Sequence, residues 1–191
     1  MEHLLNKNFI LASGSPRRKQ LLESLGLNFK IVVTDADETT PIHLQREQIP
    51  LYLSEIKALA VPDYLINDSI VIAADTIVWI DDQVMNKPSD RGEAINMLER
   101  LSGKTHQVFT GVTLRDSEKM KSFFSVTSVT FRELNKSEIE FYIENYKPMD
   151  KAGSYGAQDW IGLIAIESIT GSYFNVMGLP VDKLYLELKS F

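Results

Sequence analysis

Two patterns of apolar residues divide most of this chain into predicted helices and strands. Apolar residues that recur every three or four positions indicate one buried helix face, and short segments rich in branched and aromatic residues are typical of strands. The helical spacing is clearest at Ala94/Met97/Leu98/Leu101, Ile139/Tyr142/Ile143/Tyr146 and Val181/Leu184/Tyr185/Leu188. Shorter helices are predicted from Pro16 to Leu25, ending at Gly26, and from about Pro50 to Ala60.

Start and stop signals support the three longer helices. Asp90 and Glu93 give the first an acidic opening turn, and Gly103 follows its end. The second follows a capping-box pattern at Asn135–Glu138. The third is predicted to start at Pro180, since proline fits the first helical turn.

The strand candidates place a β-rich segment between two regions in which helices and strands alternate. They are Phe9–Ala12, Phe29–Val33, Ile70–Ile80, Val108–Leu114, Phe123–Phe131 and Ile161–Ile166. Asp81–Gln83 is predicted to be a turn, and polar residues 115–122 are predicted to join an antiparallel hairpin. The order predicts an α/β or α+β chain with a mixed sheet. Without a repeat or a linker, residues 1–191 are expected to form one domain.

Composition excludes several classes of function. The 191 residues include no cysteine, which excludes a disulfide scaffold, a Cys-ligated metal and thiol catalysis. With 20 basic and 26 acidic side chains the net charge is −6. Nucleic acids and anionic membranes attract basic surfaces, so neither is expected as a partner. A small anionic substrate remains open, because one local cluster of Lys and Arg can bind it.

The expected location is the cytoplasm. Met1–Lys7 lacks the apolar core of a secretion signal. The longest apolar run, Trp160–Ile166, is far shorter than the roughly 20 residues that span a bilayer.

The segment Leu11–Lys19 is predicted to be a strand, a Gly/Ser turn and a helix start. Backbone N–H groups at a helix N-terminus bind anions, and Arg grips two phosphate oxygens at once. Arg17 and Arg18 also lie at the positive end of the helix dipole, where an anion would be favourable. The alternative is an ordinary Ser N-cap followed by Pro16, with the basic side chains in water.

Asp75 interrupts the apolar segment Ile70–Ile80. A carboxylate in a buried strand is unfavourable unless a metal, a cation or a cleft accompanies it. The alternative is a strand that stops at Ala74, with Asp75 and Thr76 in a turn. We favour the functional interpretation, because apolar residues resume directly after Thr76.

Other charged residues are scattered through the chain: Asp37, Glu38, Lys57, Lys87 and Lys151. Each alone is typical of a solvated surface, but together they would supply carboxylates for a divalent ion and ammonium groups for phosphates. The histidines His3, His43 and His106 are too dispersed to suggest a metal site, and His106 is predicted to be structural.

Six segments, in a fixed order and spread over most of the chain, resemble the signature motifs of the Maf proteins. They are Ala12–Arg18, Ala74–Thr76, Lys87–Pro88, Leu101–His106, Met149–Gln158 and Gly171–Pro180. Two small departures are Ser154, where alanine is common, and Asn86 before Lys87.

This resemblance implies a nucleoside triphosphate pyrophosphatase that cleaves between the α- and β-phosphates. It also implies a fold similar to the inosine triphosphate pyrophosphatases, an elongated mixed β-sheet flanked by helices with a central cleft. The segment Lys151–Gln158 resembles the subgroup that acts on dTTP and UTP, with other or modified pyrimidine triphosphates left open.

The same resemblance assigns roles to individual residues. The general base is Asp75, and the specificity positions are Arg17, Thr76 and Gln158. The residues expected to contact the triphosphate are Ser13, Ser15, Arg17, Lys57, Lys87 and Lys151. From the chemistry of the reaction, Glu38 and Asp75 are expected to hold Mg²⁺ or Mn²⁺, and which residues contact the metal and which contact the phosphates is left open.

A second class of function is a non-catalytic nucleotide sensor or a regulator of septum formation, after which the family is named. A sensor needs the phosphate site but no general base, so Asp75 beside Glu38 favours the enzyme. A homodimer is left open.

Overall fold

The computed structural model describes Leu4 and residues 6–191. Met1, Glu2, His3 and Leu5 lie outside the described residues, as do the predictions that rest on them.

Within that range the chain alternates strands and helices. The strands are β1 (Asn8–Leu11), β2 (Phe29–Ile31), β3 (Ser69–Ile80), β4 (Gln83–Met85), β5 (Thr105–Arg115), β6 (Met120–Phe131) and β7 (Ile166–Thr170). The helices are α1 (Pro16–Ser24), α2 (Gln48–Leu59), α3 (Arg91–Leu101), α4 (Lys136–Tyr146), α5 (Trp160–Ala165), α6 (Tyr173–Met177) and α7 (Val181–Ser190). Two short 3₁₀ turns lie at Asp63–Leu65 and Ala152–Ser154.

The strands form one mixed sheet, which confirms the predicted α/β class. Its order is β2-β1-β3-β5-β6-β7, with β4 paired to β3. β1 is parallel to both β2 and β3, while β4 and β7 are antiparallel to their neighbours. The predicted hairpin is present, because β5 and β6 are neighbours and Asp116 N–H donates to Lys119 O at their connection.

One predicted strand is wrong. Ile161–Ile166 was expected to be extended, but Trp160–Ala165 is helix α5 and the strand β7 begins only at Ile166. Ile161, Gly162 and Ala165 are buried and Leu163 is exposed, which is the spacing of a helix face. A short continuous apolar run does not distinguish a strand from a buried helix. Helix α7 also begins one residue later than predicted, because Pro180 is its N-cap.

The chain folds into two compact units, each assembled from segments that are distant in sequence. The first combines Met1–Thr76, Thr110–Ser125 and Gly178–Phe191, and the second combines Ile77–Phe109 and Val126–Met177. A core cluster of the first unit contains Ile10, Ala58 and Val71. A core cluster of the second unit is built around α3, α4 and Phe131. No helix in the described part of the chain is long and apolar enough to span a bilayer.

Candidate functional site

The turn after β1 supplies the N-cap of α1. This Ser N-cap followed by Pro16 was part of the alternative interpretation of the segment. Ser15 caps α1 by accepting a hydrogen bond from Arg18 N–H at 3.5 Å, and Pro16 opens the helix. Ser13 Oγ in turn accepts from Ser15 N–H at 3.2 Å. Both predicted phosphate-contacting serines therefore have their oxygens oriented by backbone donors of the same turn.

Arg18 contradicts the alternative in which the basic side chains extend into water. Its Nε donates to Gly178 O at 2.9 Å, Nη1 to Ser13 Oγ at 3.2 Å and Nη2 to Thr76 Oγ1 at 3.1 Å. Burial lowers the pKa of Arg18 from its usual value, and the Asp75 carboxylate opposes that effect. Arg18 thus hydrogen-bonds to three parts of the first unit that are distant in sequence: the turn after β1, strand β3 and the segment at Gly178.

Thr76 lies at the centre of this network. Besides accepting from Arg18, its hydroxyl lies 3.0 Å from Thr110 Oγ1 and donates to Gly178 O at 3.4 Å. Its hydroxyl is therefore fixed by protein partners on three sides.

Lys57 brings the two predicted metal-binding carboxylates together. Its Nζ donates to Asp75 Oδ1 at 2.5 Å and lies 3.1 Å from Glu38 Oε2. The Lys57 and Asp75 side chains are only 12% and 14% exposed, whereas Glu38 is 52% exposed. β3 runs without interruption through Asp75, so the alternative of a turn after Ala74 is wrong.

The position of Lys57 is set by close packing of α2 on β5. A Cβ added at Gly111 would lie 2.3 Å from the carbonyl carbon and oxygen of Pro50, so only glycine allows this approach. Two residues further along β5, Thr113 Oγ1 shares a 2.8 Å hydrogen bond with the buried Ser54 hydroxyl. Glycine and a buried hydroxyl pair therefore fix the helix that carries Lys57.

The Asp75 and Glu38 carboxylates fit a divalent cation that is bound together with substrate. No group of three or more His, Cys, Asp or Glu side chains among the described residues is arranged to hold a metal ion. Mg²⁺, however, is commonly held by one or two carboxylates, with substrate phosphates and water as its other ligands. Asp75 Oδ1 and Glu38 Oε2 both contact Lys57 Nζ, so the two carboxylates lie at one ammonium group. Asp37, next to Glu38, instead accepts a local hydrogen bond from Thr39 N–H at 2.9 Å.

The remaining predicted residues lie in the second unit. Lys87 and Gln158 are exposed. Lys151 is largely buried, with Nζ 2.8 Å from Asp150 Oδ1 and 3.7 Å from Asp159 Oδ2. Gly153 N–H donates to Asn86 O at 3.1 Å, which joins the segment of Lys151 to that of Lys87.

His106 is structural, as predicted. Its Nε2 lies 2.7 Å from the Tyr155 hydroxyl, and its ring packs edge-on against Phe131 and Tyr155. Burial lowers the pKa of His106 to about 3, so the ring is neutral at physiological pH.

Sequence reasoning did not single out Arg18, Tyr142 or Asp159. Arg18 was grouped with Arg17, although adjacent helical residues point about 100° apart, which was a usable signal. Tyr142 was counted only as an apolar position of α4. Its hydroxyl donates to Asp159 Oδ2 at 2.9 Å, a contact between residues that no local pattern connects.

A family model and curated relatives match almost the full length of the chain. Residues 8–191 match the family described as Maf-like protein. The chain is 53% identical over 190 residues to the dTTP/UTP pyrophosphatase of Cytophaga hutchinsonii, covering 99% of this chain and 86% of that protein. It is also 53% identical over 190 residues to the dTTP/UTP pyrophosphatase of Phocaeicola vulgatus, and that alignment covers 99% of this chain and 98% of that protein. The Staphylococcus aureus Ham1 structure covers 65% of this chain and 72% of its own, with 16% identity and a TM-score of 0.43.

Proposed function

The chain belongs to the Maf family, and from that membership we propose that it hydrolyses dTTP and UTP between the α- and β-phosphates. The products are the nucleoside monophosphate and pyrophosphate. The observation that carries the proposal is the pairing of Asp75 and Glu38 through Lys57, in a chain 53% identical to relatives named dTTP/UTP pyrophosphatase.

Asp75 is assigned to accept the proton of the attacking water. A general base must be held in a fixed orientation within hydrogen-bond reach of that water. Lys57 fixes the carboxylate through Oδ1 at 2.5 Å, and the proposal assigns Oδ2 to the water. The strand β3, which runs through Asp75 without interruption, holds the carboxylate in place.

The triphosphate is assigned to the turn after β1 and to the basic side chains. Ser13 Oγ already accepts from Ser15 and Arg18, so its own hydroxyl hydrogen is the group it offers to a phosphate oxygen. Arg18 uses all three nitrogens on protein oxygens and is given a structural role. The residues assigned to neutralise phosphate charge are Arg17, Lys57, Lys87 and Lys151, because stabilising developing charge is the main task in phosphoryl transfer.

A divalent cation, Mg²⁺ or Mn²⁺, is proposed at Glu38 and Asp75. When bound, it neutralises charge on the triphosphate and polarises the phosphoryl oxygens. Glu38, the more exposed of the two carboxylates, gives the cation a ligand on the side open to solvent.

Base selection is assigned to Gln158, Arg17 and Thr76. The amide of Gln158 carries a donor and an acceptor, which suits the complementary edge of uracil or thymine. The Thr76 hydroxyl is hydrogen-bonded to protein partners, so Thr76 would contact the substrate through its methyl group.

The proposal is tested by incubating the purified protein with UTP, dTTP, ATP and GTP, with Mg²⁺ and with chelator, and assaying pyrophosphate. We expect rapid release from UTP and dTTP, slow release from the purine triphosphates and none with chelator. Binding of UTP without turnover would contradict the proposal and favour the nucleotide sensor.

We further propose that this activity is cytoplasmic, where free nucleotides occur. The single domain and the absence of nucleic-acid and membrane partners remain predictions, and a homodimer is left open.

A further inference from the structure

Gln158 is an exposed side chain on a short turn, residues 156–159, that connects the Ala152–Ser154 3₁₀ turn to α5. Asp159 N–H donates to Gly156 O at 3.0 Å and closes this turn. Ala157 is buried, whereas Gln158 is exposed. An exposed amide can read hydrogen-bonding groups only if the backbone beneath it is held in one orientation.

Tyr142 contacts both ends of this turn. Its hydroxyl donates to Asp159 Oδ2 at 2.9 Å and accepts from Gly156 N–H at 3.3 Å. The Tyr142 side chain is fully buried on α4. Burial and the adjacent Asp159 carboxylate raise the pKa of Tyr142 well above its usual value, so the hydroxyl remains a donor.

Asp159 also contacts Lys151 and the first turn of α5. Its Oδ2 lies 3.7 Å from Lys151 Nζ, the largely buried lysine assigned to phosphate. Its carbonyl accepts from Leu163 N–H at 3.2 Å and so begins α5. A Cβ at Gly162 would lie 2.1 Å from Ala157 O, so the turn also packs directly on that helix.

We propose that Tyr142 and Asp159 are positioning residues for base selection, which hold the turn 156–159 so that Gln158 meets the pyrimidine edge in one geometry. This inference rests on the proposed function. Discrimination through hydrogen bonds is steep only when the wrong base leaves fixed polar groups unpaired. If the turn moved, Gln158 could adapt to other bases. Selectivity for UTP over ATP would then fall more than the rate of hydrolysis.

The test is the ratio of kcat/KM for UTP to kcat/KM for ATP. Tyr142→Phe keeps the ring and removes only the hydroxyl, and we expect the ratio to fall about five- to twentyfold, the effect of about one to two hydrogen bonds. Asp159→Ala should give a similar loss, while Asp159→Asn, which keeps an acceptor oxygen, should recover part of it. Tyr146→Phe removes the same atom from the exposed ring that stacks on Tyr142. Its ratio should stay within about twofold of the wild type.

A purely structural role would lower the melting temperature and reduce turnover of UTP and ATP in proportion, leaving the ratio unchanged. That result would overturn the proposal.

Repeating Tyr142→Phe in a Gln158→Ala background shows whether Tyr142 acts through Gln158. We expect no further fall in the ratio there. A second fall by the same factor would overturn the positioning role alone. A wild-type ratio in Gln158→Ala itself would refute base recognition by Gln158, and the positioning role with it.

Discussion

Replacing Gly111 with alanine tests whether the packing of α2 on β5 positions Lys57, the lysine that contacts Asp75 and Glu38. The added Cβ would lie 2.3 Å from Pro50 O and 2.5 Å from Leu51 N. Both are backbone atoms, so no side chain can rotate away to make room. Carbon contacts normally lie at about 3.5–4.0 Å, and α2 must therefore move away from the sheet by about 1 Å or more.

The expected loss of stability follows from two contributions. Overpacking against rigid structure costs about 1–3 kcal/mol. The displacement also stretches the buried hydrogen bond between Ser54 and Thr113, which contributes about 1 kcal/mol. We expect the free energy of unfolding to fall by about 2–4 kcal/mol. Lys57 moves with the helix, so kcat/KM for UTP should fall by about ten- to a hundredfold.

Urea unfolding followed by circular dichroism measures the first effect, and pyrophosphate release measures the second. Gly92→Ala is the matched control, because its added Cβ would contact only a side-chain oxygen, Asp90 Oδ1, at 3.2 Å. That oxygen caps α3 by accepting from Glu93 N–H at 2.9 Å, and a shift of a few tenths of an ångström there relieves the contact. This substitution should change stability by less than about 1 kcal/mol and leave activity unchanged. Wild-type stability and activity in Gly111→Ala would refute the proposed role of this packing.

Three further predictions concern single side chains. Asp75→Asn should lower kcat by about two to four orders of magnitude while the fold is retained, checked by steady-state kinetics and circular dichroism; near wild-type turnover would remove Asp75 from the mechanism. Arg17→Ala should lower kcat/KM, and Arg17→Lys should recover little, because a point charge cannot reproduce a bidentate grip; full recovery would leave only a nonspecific charge effect. His106 is neutral when folded, with a pKa of about 3. The unfolded chain takes up that proton near pH 6.5, so this residue lowers the unfolding free energy by about 1.4 kcal/mol per unit as the pH falls from 6.5 towards 3. His106→Gln should lose that part of the acid dependence in urea titrations, and an unchanged slope would contradict it.

Local patterns were sufficient for the long elements of the fold. The apolar spacing around Leu98, Ile143 and Leu184 predicted α3, α4 and α7, since each buries one face over several turns. The same reasoning failed at Ile161–Ile166, where the run is too short to show a period. It also missed α6, a single short helix at Tyr173–Met177.

For the site, the sequence suggested candidate residues but not the partners that they contact. The carboxylate at Asp75 was identified because it interrupts an apolar strand. Its contact with Lys57 joins β3 to a helix 18 positions away in sequence, and such pairings are set by the topology. The bond from Arg18 to Gly178 spans 160 positions and could not be predicted from either segment alone.

The most direct test of the central claim identifies the bond that is cleaved. The protein is incubated with UTP and Mg²⁺ in ¹⁸O-labelled water, and the products are separated and analysed by mass spectrometry. Attack at the α-phosphorus predicts UMP and pyrophosphate, with the label in UMP. Release of UDP and phosphate, or no turnover at all, would contradict the account.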